Sequence, residues 1–161
     1  IPEIEKDRLV HNPEAKHVVV IRRGHFYSFD LLNDQDNIKS PKEIASCINA
    51  IMHDKREANV HPVGILTATE RDQWAKNRKH LEEIGNAEVL RKIDTAAFVL
   101  ALDEDEVRED FNKFCRTLLH ADGANRWFDK SFSLVICKDG YSGINFEHSW
   151  GDGVAVLRFF K

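Results

Sequence analysis

The stretch Phe146-Glu147-His148-Ser149-Trp150-Gly151-Asp152-Gly153 holds the residues best suited to acid–base chemistry. Strand alternation puts His148 on the face of Ile144 and Phe146, with Asn145 and Glu147 on the other. A histidine where a strand gives way to a glycine-flanked turn has apolar packing on one side and open space on the other. Neutral imidazole in that setting can act as a general base near pH 7. Asp152 is placed to cap a helix that follows. The same residues also read as a core-edge histidine beside a plain N-cap, and spacing leaves both readings open.

Other constellations carry less. The eight histidines lie at 11, 17, 25, 53, 61, 80, 120 and 148. No two sit four residues apart on a helix, and no cysteine neighbours them at ligand spacing, so no metal site is expected. Cys115 and Cys137 read as small buried hydrophobes. Ser149 is out of frame for a nucleophile elbow, and Ser131 and Ser133 are strand residues with no base in view. No glycine-rich dinucleotide or P-loop signature occurs. Asn125-Arg126-Trp127-Phe128-Asp129-Lys130 could line a site, with Arg126 pairing a carboxylate. The expectation is instead a loop clamped by Trp127 and by an Arg126–Asp129 pair. Residues 67–75 read as a capping segment with Trp74 in the core, or against a ligand channel.

The elements that must position these groups follow from periodicity. Residues 1–16 read as a lead-in loop. Residues 17–23 are β-branched and read as a buried strand. Gly24-His25 is the expected turn into a second strand over 26–32. Ser40-Pro41-Lys42-Glu43 is a capping-box helix start, with Ile44, Ile48, Ile51 and Met52 on one face. Thr69 with Asp72 opens a second helix that stops near Gly85, and a further helical turn covers 87–93. Residues 96–102 form an apolar strand. Asp103 to Asp105 suits a helix N-terminus, and the helix after it carries Val107, Phe111, Phe114, Cys115, Leu118 and Leu119 on one face. Strands over 131–138 and 142–147 flank the hairpin signal Asp139-Gly140. Two hairpins exclude a purely parallel sheet. The expected fold is α/β (α+β), one domain with a mixed β-sheet covered by helices.

Composition bounds the function. The chain has 161 residues, 42% hydrophobic and 31% charged, with a formal charge of −4. It is long enough to bury roughly 70% of its unfolded surface. A mildly acidic balance, with pI near 6.1, argues against nucleic acid as partner. Three cysteines with no CxxC pair exclude a disulfide framework or zinc ribbon. The apolar run from Val154 to Phe160, directly before Lys161, gives the expectation of a fragment cut from a longer protein.

Read together, four stretches resemble the carnitine/choline acyltransferase family. They are Gly24-His25-Phe26-Tyr27, the segment Gly64 to Ala75 with its Leu-Thr-x-x-x-Arg-x-x-Trp-Ala, Asn125 to Lys130, and Glu147-His148-Ser149. Residues 146–160 are worded most like the mitochondrial, long-chain (palmitoyl) branch. His148-x-x-x-Asp152-Gly153 also resembles the HxxxDG signature of wider CoA-dependent acyltransferases.

The resemblance implies reversible acyl transfer between the coenzyme A thiol and the carnitine hydroxyl, in fatty-acid oxidation. His148 would be the catalytic base, with no acyl-enzyme. Asp152 would orient through an ion pair with an arginine, which agrees with a carboxylate steadying a helix start. Coenzyme A thioester would be a co-substrate, with no bound cofactor. Long-chain acyl-CoA, carnitine and the second half of the enzyme would be the partners. The location would be mitochondrial, on the matrix side of the inner membrane, with membrane contact open to the parent enzyme. In that family the groups that hold coenzyme A and carnitine lie downstream of the histidine. The chain alone is therefore expected to fold as a piece of the His-bearing domain without transferring acyl groups. The competing readings are a carnitine acetyl- or octanoyltransferase, a choline acetyltransferase, and a non-catalytic interaction domain.

Overall fold

The computed structural model describes residues 1–159. Its elements run β1 (Pro2–Glu3), β2 (Lys6–Asp7), β3 (His17–Arg22), β4 (His25–Asp30), α1 (Pro41–Met52), α2 (Arg71–Leu81), α3 (Ala87–Asp94), β5 (Val99–Leu102), α4 (Phe111–Leu119), β6 (Phe132–Ile136), β7 (Ser142–Phe146) and α5 (Gly153–Phe159). A 3₁₀ segment, Val63–Ala68, precedes α2, and a π turn, Glu82–Asn86, joins α2 to α3.

The main sheet has five strands in the order β4-β3-β5-β6-β7. Parallel β3, β5 and β6 form the middle, and an antiparallel hairpin closes each side. This is the expected mixed sheet. Val18 to Ile21 of β3 and all of β5 are apolar because both faces of these strands are covered. Val18, Val20, Leu100 and Leu102 meet Ile48 and Ile51 of α1 on one face. Val19, Ile21 and Val99 meet Trp74, Leu90, Ile93 and Trp127 on the other. The capping box at Ser40 and Glu43 is present and sets the start of α1.

Several expectations shift. The lead-in contains the β1–β2 hairpin, whose Glu5 N–H donates to Asp72 Oδ1 at 2.7 Å. That contact takes Asp72 out of capping. Glu70 caps α2 instead, accepting from the Asp72 and Gln73 amides, while Thr69 Oγ1 donates back to Leu66 O. The first hairpin turns at Arg23-Gly24, one residue early. Both residues have positive φ, 53° and 72°, and Arg22 pairs with His25. This left-handed pair matches the twist of the flanking strands.

The acidic cluster after β5 caps no helix. Asp103 pairs with Arg126, Glu104 with Arg22 and Arg23, and Asp105 with Lys113. At the carboxyl ends of β3 and β5 these carboxylates face full cationic charges, which outweigh a helix dipole. Asp110 caps α4, accepting from the Lys113 amide at 2.9 Å. Val107 is buried in the preceding loop, its amide held by Asp139. The expected apolar face of α4 is therefore shorter: Phe111 and Leu119 are exposed, and Leu118 packs on Gly143 of β7. A side chain at Gly143 would meet Leu118 Cδ1 at 2.5 Å, so the glycine permits this approach. Of the expected final apolar run, Val154 and Leu157 are exposed on α5, and Phe160 lies outside the described residues.

Candidate active site

His148 lies two residues past Phe146, the last residue of β7. Phe146 pairs with Phe132 in register, and the next amide, Glu147 N–H, donates to Ser131 O at 2.9 Å. The chain then turns. Ser149 N–H donates to Glu147 Oε1 at 3.2 Å, and Trp150 Nε1 donates to Ser131 O at 2.6 Å. The His148 imidazole lies against the Phe146 ring, 4.8 Å between centroids, and is otherwise exposed. One side of the ring is packed and the other is open.

α5 begins beside this turn. The Asp152 carbonyl accepts from the amides of Ala155 and Val156, so the residue stands at the helix start. Its Oδ1 accepts from Gly153 N–H at 2.6 Å. No ion pair among the described residues involves Asp152, so the arginine partner implied for it is not supplied there. On the same side of the sheet Phe132 stacks with Phe98 at 5.2 Å and touches Phe159 at 5.6 Å, seating α5 on β6.

The loop before β6 is clamped, but not as expected. Arg126 does not pair with Asp129. Its guanidinium, 1% exposed, forms a bidentate pair with Asp103 at 2.7 and 2.9 Å and donates to Thr117 O. Asp129 instead accepts from Arg71 Nη1 at 2.8 Å and Trp74 Nε1 at 2.6 Å. The two residues serve different walls of the loop: Arg126 ties it to β5 and α4, and Asp129 ties it to α2. Trp74 is buried in the core, edge-on to Trp127.

Lys130 completes the clamp. Its Nζ donates to Asp94 O at 2.7 Å and Ile93 O at 3.2 Å, the last carbonyls of α3. Burial pulls the ammonium down to about 8, and Asp94 offsets this only in part. The folded value lies below the unfolded one near 10.4. Between the two the native state holds fewer protons, so stability rises as pH climbs through about 8. Urea unfolding at about pH 7.5 and about pH 9.5 is expected to show wild type gaining about 1–2 kcal/mol relative to Lys130→Met. Equal changes in the two proteins would mean that Nζ is solvated in the native state.

A small cavity of about 100 Å³ opens here, lined among others by Asp129, Lys130, Ser131, Glu147 and Ser149, and not by His148. Cys137 is buried, and burial pushes its thiol up to about 11. It is a packed hydrophobe and no nucleophile. What the residue pattern does not reveal is Ser131, because its part is played by a backbone carbonyl that every residue type carries.

The family profile described as choline/carnitine O-acyltransferase matches residues 1–161. The chain belongs to that family. It is 47% identical over 161 residues to the mouse protein named carnitine O-palmitoyltransferase 2, mitochondrial, and 48% identical to the human protein of that name. Both alignments take in 100% of this chain and 24% of the relative. Human carnitine O-palmitoyltransferase 1, liver isoform, is 34% identical over 171 residues, again with 100% of this chain and 22% of the relative. The chain thus spans about a quarter of the length of the curated relatives it matches. No helix among its described residues is long and apolar enough to cross a membrane.

Proposed function

We propose that residues 1–161 are part of the His-bearing domain of a two-domain carnitine O-palmitoyltransferase. The parent enzyme moves long-chain acyl groups between coenzyme A and carnitine. The observation that carries this is an open imidazole, backed by Phe146, in a chain matched throughout by the acyltransferase profile. Higher identity to the type 2 relatives, whose name carries the word mitochondrial, than to type 1 supports a mitochondrial location; the matrix side of the inner membrane follows from the family resemblance alone.

His148 takes the proton of the carnitine hydroxyl as that oxygen attacks the thioester carbonyl. The C–O bond forms, the C–S bond breaks, and the imidazolium returns its proton to the leaving thiolate. In reverse the thiol gives up the proton. Asp152 steadies the start of α5 behind the turn and is the orienting carboxylate. The chain alone presents His148 to solvent, and a base that is not enclosed with both substrates lacks the positioning on which transfer depends. The 161-residue chain therefore releases no measurable coenzyme A.

The test is carnitine-dependent release of coenzyme A by the full-length parent, with palmitoyl-, octanoyl- and acetyl-CoA, and with choline in place of carnitine. Palmitoyl-CoA with carnitine is expected to give the highest kcat/KM. A preference for a short chain or for choline would replace the long-chain reading with one of the sister activities. No release with any pair would leave an interaction domain of this fold.

A further inference from the structure

Among the described residues His148 has no hydrogen-bond partner of its own, and its ring touches only the Phe146 ring among the aromatic contacts. Its direction is therefore set by the turn that carries it. Ser149 N–H closes the turn within itself on Glu147 Oε1, and one atom ties it to the sheet. Ser131 O accepts from Glu147 N–H at 2.9 Å and from the Trp150 indole N–H at 2.6 Å, so one carbonyl holds the residues on both sides of the histidine. Asp152 does not contribute to this closure, since its carboxylate bonds the Gly153 amide.

The carbonyl itself is firmly placed. Ser131 follows Asp129, tied to Arg71 and Trp74, and Lys130, tied to the end of α3. Within this chain Trp150 is 41% exposed, so filling the chain's own core does not account for it. Its ring lies 6.3 Å from that of Phe132, and its N–H is committed to the sheet beside the histidine.

We infer that Trp150 is a positioning residue for His148, its indole N–H pinning the 147–150 turn to the Ser131 carbonyl. The inference rests on the reading of His148 as the base. A general base must meet the proton it takes within hydrogen-bond reach, and a misplacement of about 1 Å can cost about 10²-fold. One lost hydrogen bond that lets the turn swing would produce such a misplacement with the fold intact.

The test uses the full-length parent enzyme. β-(3-Benzothienyl)alanine at position 150 replaces the N–H by sulfur and keeps the ring. It is expected to lower kcat by about 10- to 10²-fold, with both KM values within about twofold and the unfolding midpoint unchanged. Trp150→Phe should reproduce the loss of kcat. In the His148→Ala background, Trp150→Phe should cost nothing further, because residues that act as a unit are not additive. A benzothienyl enzyme within about twofold of wild type in kcat would overturn the inference, and so would an additive double variant. If His148→Ala is slow while both Trp150 variants run at full rate, the positioning role alone fails. If His148→Ala keeps its rate, the base reading falls and takes this inference with it.

Discussion

Full-length enzyme carrying His148→Ala is expected to lose about 10²–10⁴ of its carnitine-dependent coenzyme A release, equivalent to roughly 3–5 kcal/mol of barrier. The loss should fall on kcat, with little change in either KM, because the imidazole handles a proton and contributes little to ground-state binding. Its cost to the folding of the 161-residue chain should be small. His148 is exposed, makes one aromatic contact and no hydrogen bond among the described residues. Surface substitutions of this kind usually stay within about 0.5 kcal/mol. Thermal unfolding beside the rate assay separates the two effects. A variant that keeps its rate places the base elsewhere.

Arg126→Met is expected to destabilise the chain by about 3–5 kcal/mol, the largest effect on folding. Arg126 and Asp103 form a bidentate pair with side chains 1% and 6% exposed. Methionine replaces the bulk of the arginine but leaves a buried carboxylate with, among the described residues, only the Asn125 Nδ2 donor at 2.9 Å. It also strands the Thr117 and Asn125 carbonyls that the guanidinium satisfied. Arg126 Nε is itself buried with no partner among the described residues, so the pair is not ideal even in wild type. The double variant Arg126→Met/Asp103→Leu should therefore recover a large part of the loss, since removing both charges leaves none uncompensated. Urea unfolding of the two single variants and the double closes the cycle. Additive losses would mean that the two charges do not depend on each other.

Much of the fold was legible because its causes are local. The apolar run in β3 predicts a strand covered on both faces, and it is. Ser40 and Glu43 lie one turn apart, so their reciprocal bonds form whatever the rest of the chain does. Asp139-Gly140 turns a hairpin on its own backbone preferences, with Gly140 at φ 85°. Ordered motifs around Trp74, Trp127 and His148 carry the family likeness without any knowledge of contacts.

Partner choice was decided only when the elements packed. Arg126 had Asp129 three residues away, yet it pairs with Asp103, because the loop runs past the carboxyl end of β5 with the guanidinium turned inward. Asp129 is left for Arg71 and Trp74 of a helix more than fifty positions earlier. Asp103 to Asp105 would suit a helix start in isolation, but arginines from β3 and from the loop before β6 and a lysine from α4 claim all three. A charge can be satisfied by any opposite charge that comes within reach, and reach across a sheet is a property of the assembled fold. The same holds at the candidate site. The chain itself specifies that a histidine comes just after β7, near an aromatic, whereas the single carbonyl that holds both sides of its turn exists only once β6 and β7 have paired.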